Sequence, residues 1–144
     1  MKAIVKVGPR PGVELMDVPV PTPGPGEVLI KIEAAAICGT DLHYYHWNKS
    51  GQDFGEKYNI QWPLILGHEC SGTIVSVGEG VVDRTVGQRV ALETHIPCGT
   101  CFNCQNGMAH NCSNMKIYGT STNGCFAEYA LAPAKVAFVL PDEM

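Results

Sequence analysis

The chain has 144 residues and a mass of 15.5 kDa, room for one domain of ordinary size but not for a nucleotide-binding domain plus a complete second one. With 45% hydrophobic and 17% charged residues it can bury a core, which argues against a disordered chain. The net charge of −4 comes without any basic run, so nucleic acid and anionic membrane surfaces are poor partners, and no apolar stretch reaches the ~18 residues of a membrane span.

Gly and Pro make up about 18% of the chain against an average of about 12%, which favours turns and short strands over long helices. Met1 to Val7 reads as a first strand without the apolar run of a secretory signal, so the cytosol is the expected compartment. A turn at Gly8–Gly12 leads to a second strand over Val13–Val20, followed by a Pro-rich connector to Gly26. Glu27 to Ile37 alternates and then turns apolar, as a strand running into the interior does. Gly39 to Tyr45 reads as a helix start, with Gly39 or Thr40 as N-cap and Asp41 near the positive end of the dipole. Asn48 to Asn59 is polar and contains Gly, which predicts a loop. Further strands are expected at Pro63–Leu66, Thr73–Val77, Arg89–Leu92, Cys125–Leu131 and Lys135–Leu140.

Seven cysteines is a high count, and their placement is uneven. Cys98, Cys101, Cys104 and Cys112 crowd into fifteen residues, while Cys38, Cys70 and Cys125 are scattered. Zinc takes four thiolates at tetrahedral corners, about 2.3 Å from the metal, and two-residue gaps let successive sulfurs converge. Four thiolates leave no open position, so such a site is structural. An iron–sulfur cluster or unligated thiols fit the same spacing. Elsewhere, Cys38 sits at a strand-to-helix junction, where helix amides lower a thiol's pKa. His68 and Glu69 follow a buried apolar strand. Read singly, the histidine suits a satisfied core position and the cysteine a small buried hydrophobe.

Taken in order, these segments carry a resemblance. Gly67-His68-Glu69-Cys70-Ser71-Gly72 with Gly78 and Val81 resembles the zinc signature of the medium-chain alcohol dehydrogenases. Cys38-Gly39-Thr40-Asp41-Leu42-His43, the four-cysteine loop, Val86–Val90 and Gly124–Tyr129 are similar to further landmarks of that family. The likeness spans nearly the whole chain. It implies a mainly β, GroES-like, partly open barrel over 1–144, with short helices and a structural zinc loop at 98–112. It implies that Cys38 and His68 bind a catalytic zinc, with Glu69 as a ligand or close neighbour. Thr40 would take the alcohol proton, His43 would relay it to solvent, and His95 would line the pocket. The residues alone also suit an N-cap role for Thr40 and solvated loop positions for His43 and His95.

Within the family the segments most resemble threonine-oxidising members, then polyol-oxidising ones, so the expected substrate is a small secondary alcohol. The separation of Cys38 from His68 is longer than expected for threonine-oxidising members, the extra residues falling near 48–59. No Gly-x-Gly-x-x-Gly follows a strand, so there is no Rossmann domain in these residues, and NAD or NADP is expected to bind elsewhere in a longer enzyme. The family's third ligand to the catalytic zinc is likewise expected past Met144. The chain therefore reads as a catalytic-domain fragment, inactive alone, with zinc at the Cys38 site weak or absent. An open barrel edge is expected to favour homo-oligomers. A non-catalytic zinc-binding scaffold is the other reading, and it does not need Thr40 and His43 between Cys38 and His68.

Overall fold

A computed structural model describes residues 1–144. The chain is mainly β, with ten strands and three short helices: β1 (Lys2–Lys6), β2 (Glu14–Asp17), β3 (Glu27–Ala36), α1 (Gly39–His46), α2 (Lys49–Lys57), β4 (Leu64–Ile65), β5 (Glu69–Val77), β6 (Arg89–Leu92), β7 (His95–Ile96), α3 (Phe102–Gln105), β8 (Lys116–Ile117), β9 (Tyr129–Pro133) and β10 (Ala137–Val139). Five strands form one antiparallel sheet in the order β10-β6-β5-β3-β9, and three form a second in the order β2-β1-β4. Two register shifts bend β3, between Leu29 and Ile30 and between Ile32 and Ala34, which curls the larger sheet into a half-barrel. The Ile4 N–H donates to the Phe126 carbonyl at 2.7 Å and joins the two sheets.

The alternation read in Glu27–Ile37 is visible in the core. Val28 and Ile30 are fully buried and meet Ile74 and Val90 from β5 and β6, each worth about 1.5–3 kcal/mol of burial. Beyond Ile32 the pattern fails, because Ala34 to Ile37 lie exposed past the second bulge. A smaller core under α1 gathers Tyr44, Ile60, Leu64 and Leu66.

Three expectations need correction. Residues 48–59 are not a loop: Asn48 caps α2, and the Lys49–Asp53 pair lies along its exposed side. Its two glycines disguise it, and both are demanded by packing. A Cβ on Gly51 would lie 2.4 Å from the His43 carbonyl, and one on Gly55 would lie 2.9 Å from the Trp47 ring. The N-cap of α1 is Cys38 rather than Gly39 or Thr40. The late strands are shorter than expected and separated by a 3-10 turn at Ala134–Val136, while β7, α3 and β8 were too short to leave a pattern.

The approach to His68 is set by close backbone contact. Gly67 has a φ of +90°, and a Cβ there would meet the Phe126 ring at 2.4 Å. Gly119 and Gly124 pack on the Gly67 carbonyl, where a Cβ from either would fall within 2.2 Å. Gly67→Ala should therefore cost about 2–4 kcal/mol, from positive-φ strain plus overpacking. A thermal melt checks this, and an unchanged midpoint would refute it.

Candidate metal centres

The sulfurs of Cys98, Cys101, Cys104 and Cys112 lie within 4.8 Å of one another. Sγ of Cys101 is 3.9 Å from Sγ of Cys112, far too long for a disulfide, and all seven cysteines are free thiols. A single tetrahedral ion with bonds of about 2.3 Å sets its sulfurs just under 4 Å apart, so the four thiols fit one ion. A multi-iron cluster would hold them farther apart. Backbone N–H groups already point at the sulfurs: Cys98 N–H at Sγ of Cys112 (3.2 Å), and the Thr100 and Cys101 N–H groups at Sγ of Cys98 (3.4 Å each). The Thr100 hydroxyl and these amides pull the Cys98 thiol down to about 5, and backbone donors also lower Cys101. Desolvation by its neighbours pushes Cys104 up to about 12, the usual result when thiols share one site without a cation. Gly99 and Gly107, both at positive φ, turn the chain around this cluster.

The second cluster is built by strand pairing. The β3–β5 ladder ends with Ala36 opposite Glu69, so the residues just past β3 meet those just before β5. This brings one ligating atom each from Cys38, His68 and Glu69 within 4.8 Å of one another. Cys38 is half-buried, His68 buried and Glu69 exposed. The backbone amide of Thr40, in the first turn of α1, lowers the Cys38 thiol, with a further contribution from His68. Thr40 also places its Oγ1 3.8 Å from the Cys38 sulfur.

Asp41 is the residue that sequence reading undervalued. Its Oδ2 accepts the Cys38 N–H at 2.9 Å, and its Oδ1 lies 3.5 Å from Nδ1 of His68. Neither Oδ1 nor Nδ1 has a hydrogen-bond partner, so the 3.5 Å contact is electrostatic rather than a tight hydrogen bond. The Asp41 carboxylate raises His68 to about 9 against the cost of burial. With Nδ1 turned to Asp41, Nε2 is the ring nitrogen left for a metal, and a carboxylate behind a ligating imidazole is the common support for zinc. The donor set of one thiol, one imidazole and one carboxylate fits a zinc with a coordination position to spare. The signal available in sequence was the acidic residue three places after the Cys38 cap.

The remaining candidates, His43 and His95, lie on α1 and β7. His43 is half-buried on α1, its Nδ1 2.9 Å from Nδ2 of Asn48. His95 is exposed on β7, and its Nδ1 pairs with Glu93 at 2.6 Å. The strand carrying it is tied to the centre through Thr94, whose hydroxyl donates to the His68 carbonyl at 2.8 Å. A cavity of about 480 Å³ lies away from this chemistry, between β9 and the Pro-rich connector, and neither Cys38 nor His68 lines it. A smaller hollow of about 160 Å³ touches Asp41, with Ile37, Leu42, Tyr45 and Phe126 among its walls. No helix is long and apolar enough to cross a membrane.

One four-thiol loop and one Cys–His–Glu cluster on a single partly open β-barrel define the class as a β domain with two candidate metal centres. The chain belongs to the alcohol dehydrogenase GroES-like domain family, which matches residues 24–142. It is 50% identical over 144 residues to an L-threonine 3-dehydrogenase of Thermococcus kodakarensis, all of this chain aligning with 40% of that protein. A short chain alcohol dehydrogenase of Escherichia coli, solved with cofactor NADH, superposes with a TM-score of 0.83 at 36% identity, over 99% of this chain and 39% of that one. A cobalt- and zinc-bound thermostable alcohol dehydrogenase of Pyrobaculum aerophilum superposes with a TM-score of 0.79 at 31% identity, over 96% of this chain and 40% of that one. The chain thus spans about 40% of the length of the curated relative.

Two outcomes follow from this geometry. Cys104→Ser should leave the loop unable to hold its zinc, and elemental analysis finding the same zinc content as the parent would overturn the assignment. In the metal-free chain, His68 is raised to about 9 from an ordinary value of about 6.5. The Asp41–His68 contribution is therefore fully present below about pH 6.5 and is lost as pH rises through about 9. Asp41→Asn should cost more stability at acidic than at alkaline pH, as read by denaturant melts at both. An equal cost at the two ends would refute the pairing.

Proposed function

We propose that residues 1–144 are the GroES-like catalytic domain of a zinc-dependent dehydrogenase that oxidises a small secondary alcohol, L-threonine before a polyol. The observation that carries it is the convergence of Cys38, His68 and Glu69 at the end of the β3–β5 ladder, with Thr40 beside the thiol. The 50% identity to an L-threonine 3-dehydrogenase supports the choice of substrate.

Cys38 and His68 would hold the catalytic zinc, with Glu69 as a third ligand or a near neighbour. Bound there, zinc supplies a Lewis acid that lowers the pKa of an alcohol hydroxyl. The four-cysteine loop would hold a structural zinc. Asp41 orients His68 and keeps Nε2 free. The Thr40 hydroxyl would take the substrate's hydroxyl proton while handing on its own, and His43 would carry a proton on towards solvent. His95 borders the substrate, held by Glu93. These residues contain no dinucleotide fingerprint, so the NAD or NADP that receives hydride would sit on other residues of a longer protein. Seven free thiols suit a reducing cytosol. Exposed Ile37, Phe138 and Val139, the last two on the edge strand β10, support self-association.

In the longer protein, Cys38→Ser should lower kcat for L-threonine with NAD by at least about 100-fold, since even indirect zinc partners matter by 10–100-fold. Activity surviving that change would overturn the zinc reading. Turnover of sorbitol but not of L-threonine would move the substrate to polyols. Turnover of neither would favour a scaffold role.

A further inference from the structure

Asn48 stands at the junction of α1 and α2 and bonds to both. Its Oδ1 accepts the Gly51 N–H at 3.1 Å and so caps α2. A backbone N–H can only donate, which fixes the amide atom on that side as oxygen. The atom 2.9 Å from Nδ1 of His43 is therefore the amide nitrogen. An NH2 group also only donates, so Nδ1 of His43 is the acceptor, and a neutral ring must carry its proton on Nε2. The contact is close because residue 51 is glycine: any side chain there would strike the His43 carbonyl.

We infer that Asn48 is a positioning residue that holds His43 in its Nε2–H tautomer and makes that state depend on the first turn of α2. The use of this in turnover rests on the relay proposed above, but the tautomer does not. A neutral imidazole takes up a proton only at the nitrogen with a free lone pair. In this arrangement that nitrogen is Nδ1, which the Asn48 amide occupies. A proton passing through His43 thus arrives at Nδ1 as another leaves from Nε2, and the Asn48 amide must step aside for the arrival. At rest, His43 is a hydrogen-bond donor at Nε2 rather than a base.

Asn48→Asp separates the two jobs of the side chain. A carboxylate still caps α2 by accepting the Gly51 N–H. It cannot donate to Nδ1, and instead accepts from an Nδ1–H. The test is the imidazole nitrogen spectrum of the 144-residue chain labelled with [15N]histidine, at a pH above the ring's titration, with His43 assigned by its loss in His43→Gln. The parent should show Nε2 as N–H and Nδ1 as bare nitrogen. Asn48→Asp should reverse the two, with unchanged helical circular dichroism. A parent with Nδ1–H or an even mixture, or an aspartate variant with the parent's pattern, would overturn the inference. Should the aspartate variant fail to fold, Asn48→Ser keeps a cap oxygen and removes the nitrogen donor. It should relax His43 to a mixture of tautomers, and a pure Nε2–H ring in that variant would be fatal. Tautomers that follow expectation in a longer protein without dehydrogenase activity would sink the relay and leave the role of Asn48 standing.

Discussion

Asp41 is only 4% exposed, and a carboxylate so far from water is costly unless a hydrogen bond and a neighbouring charged ring compensate it. One oxygen takes the Cys38 N–H and the other faces the His68 ring. A single side chain therefore fixes the cap of α1, the position of the thiol and the orientation of the imidazole. The cluster also depends on the β3–β5 ladder, which brings together residues thirty positions apart. His68 reaches its place because Gly67 turns at positive φ against the Phe126 ring, with Gly119 and Gly124 packed behind it. Strand register brings the donors close, and the buried carboxylate then aims them.

The two cysteine environments are built on different principles. The loop at 98–112 is local: its four sulfurs come from fifteen residues, and its own amides and positive-φ glycines shape it. Such a unit saturates a metal and is closed to substrate. The Cys38 cluster is long-range and mixed in donor type, with an exposed carboxylate at its open side. Only the second arrangement leaves room for chemistry. Cys70 and Cys125 belong to neither: they pack at the core, where the hydrogen bond between them and then burial raise the Cys70 thiol far above its ordinary value and leave it inert.

Legibility in the sequence follows this division. The four-cysteine loop was readable from spacing alone because its geometry is local. Strand β3 was readable from the burial of Val28 and Ile30, although Leu29 between them is buried as well, and it was misread beyond Ile32 because a bulge cannot be seen in a hydrophobic pattern. Cys38 and His68 were ambiguous as single residues, and it was their order along a familiar family pattern that joined them. Asp41 was visible only as a charge near a helix start. Its real role requires knowing that His68 arrives beside it from another strand. Short β7 and β8 carry two residues each and leave no period to detect.

Helix α2 is the sharpest case of tertiary contact overriding propensity. Two glycines in nine residues weaken a helix by roughly 2 kcal/mol relative to alanine, so nothing in the segment's own preferences requires one. It forms because Asn48 supplies the first cap and because the glycines let the helix sit against α1, where side chains would collide with the His43 carbonyl and the Trp47 ring. Trp47 itself is held at a φ of +50°, packed edge-on against Trp62 and lying over the Lys6 ammonium. That ammonium is fully buried without a carboxylate, satisfied by the Arg10 and Gly12 carbonyls, and burial lowers its pKa. A segment with weak local preference is thus fastened at one end by an amide and along one side by aromatic packing. The fastening at the amide end is the one that touches His43, so the conformation of the least helix-prone segment and the proton state of the ring beside it are set by the same side chain.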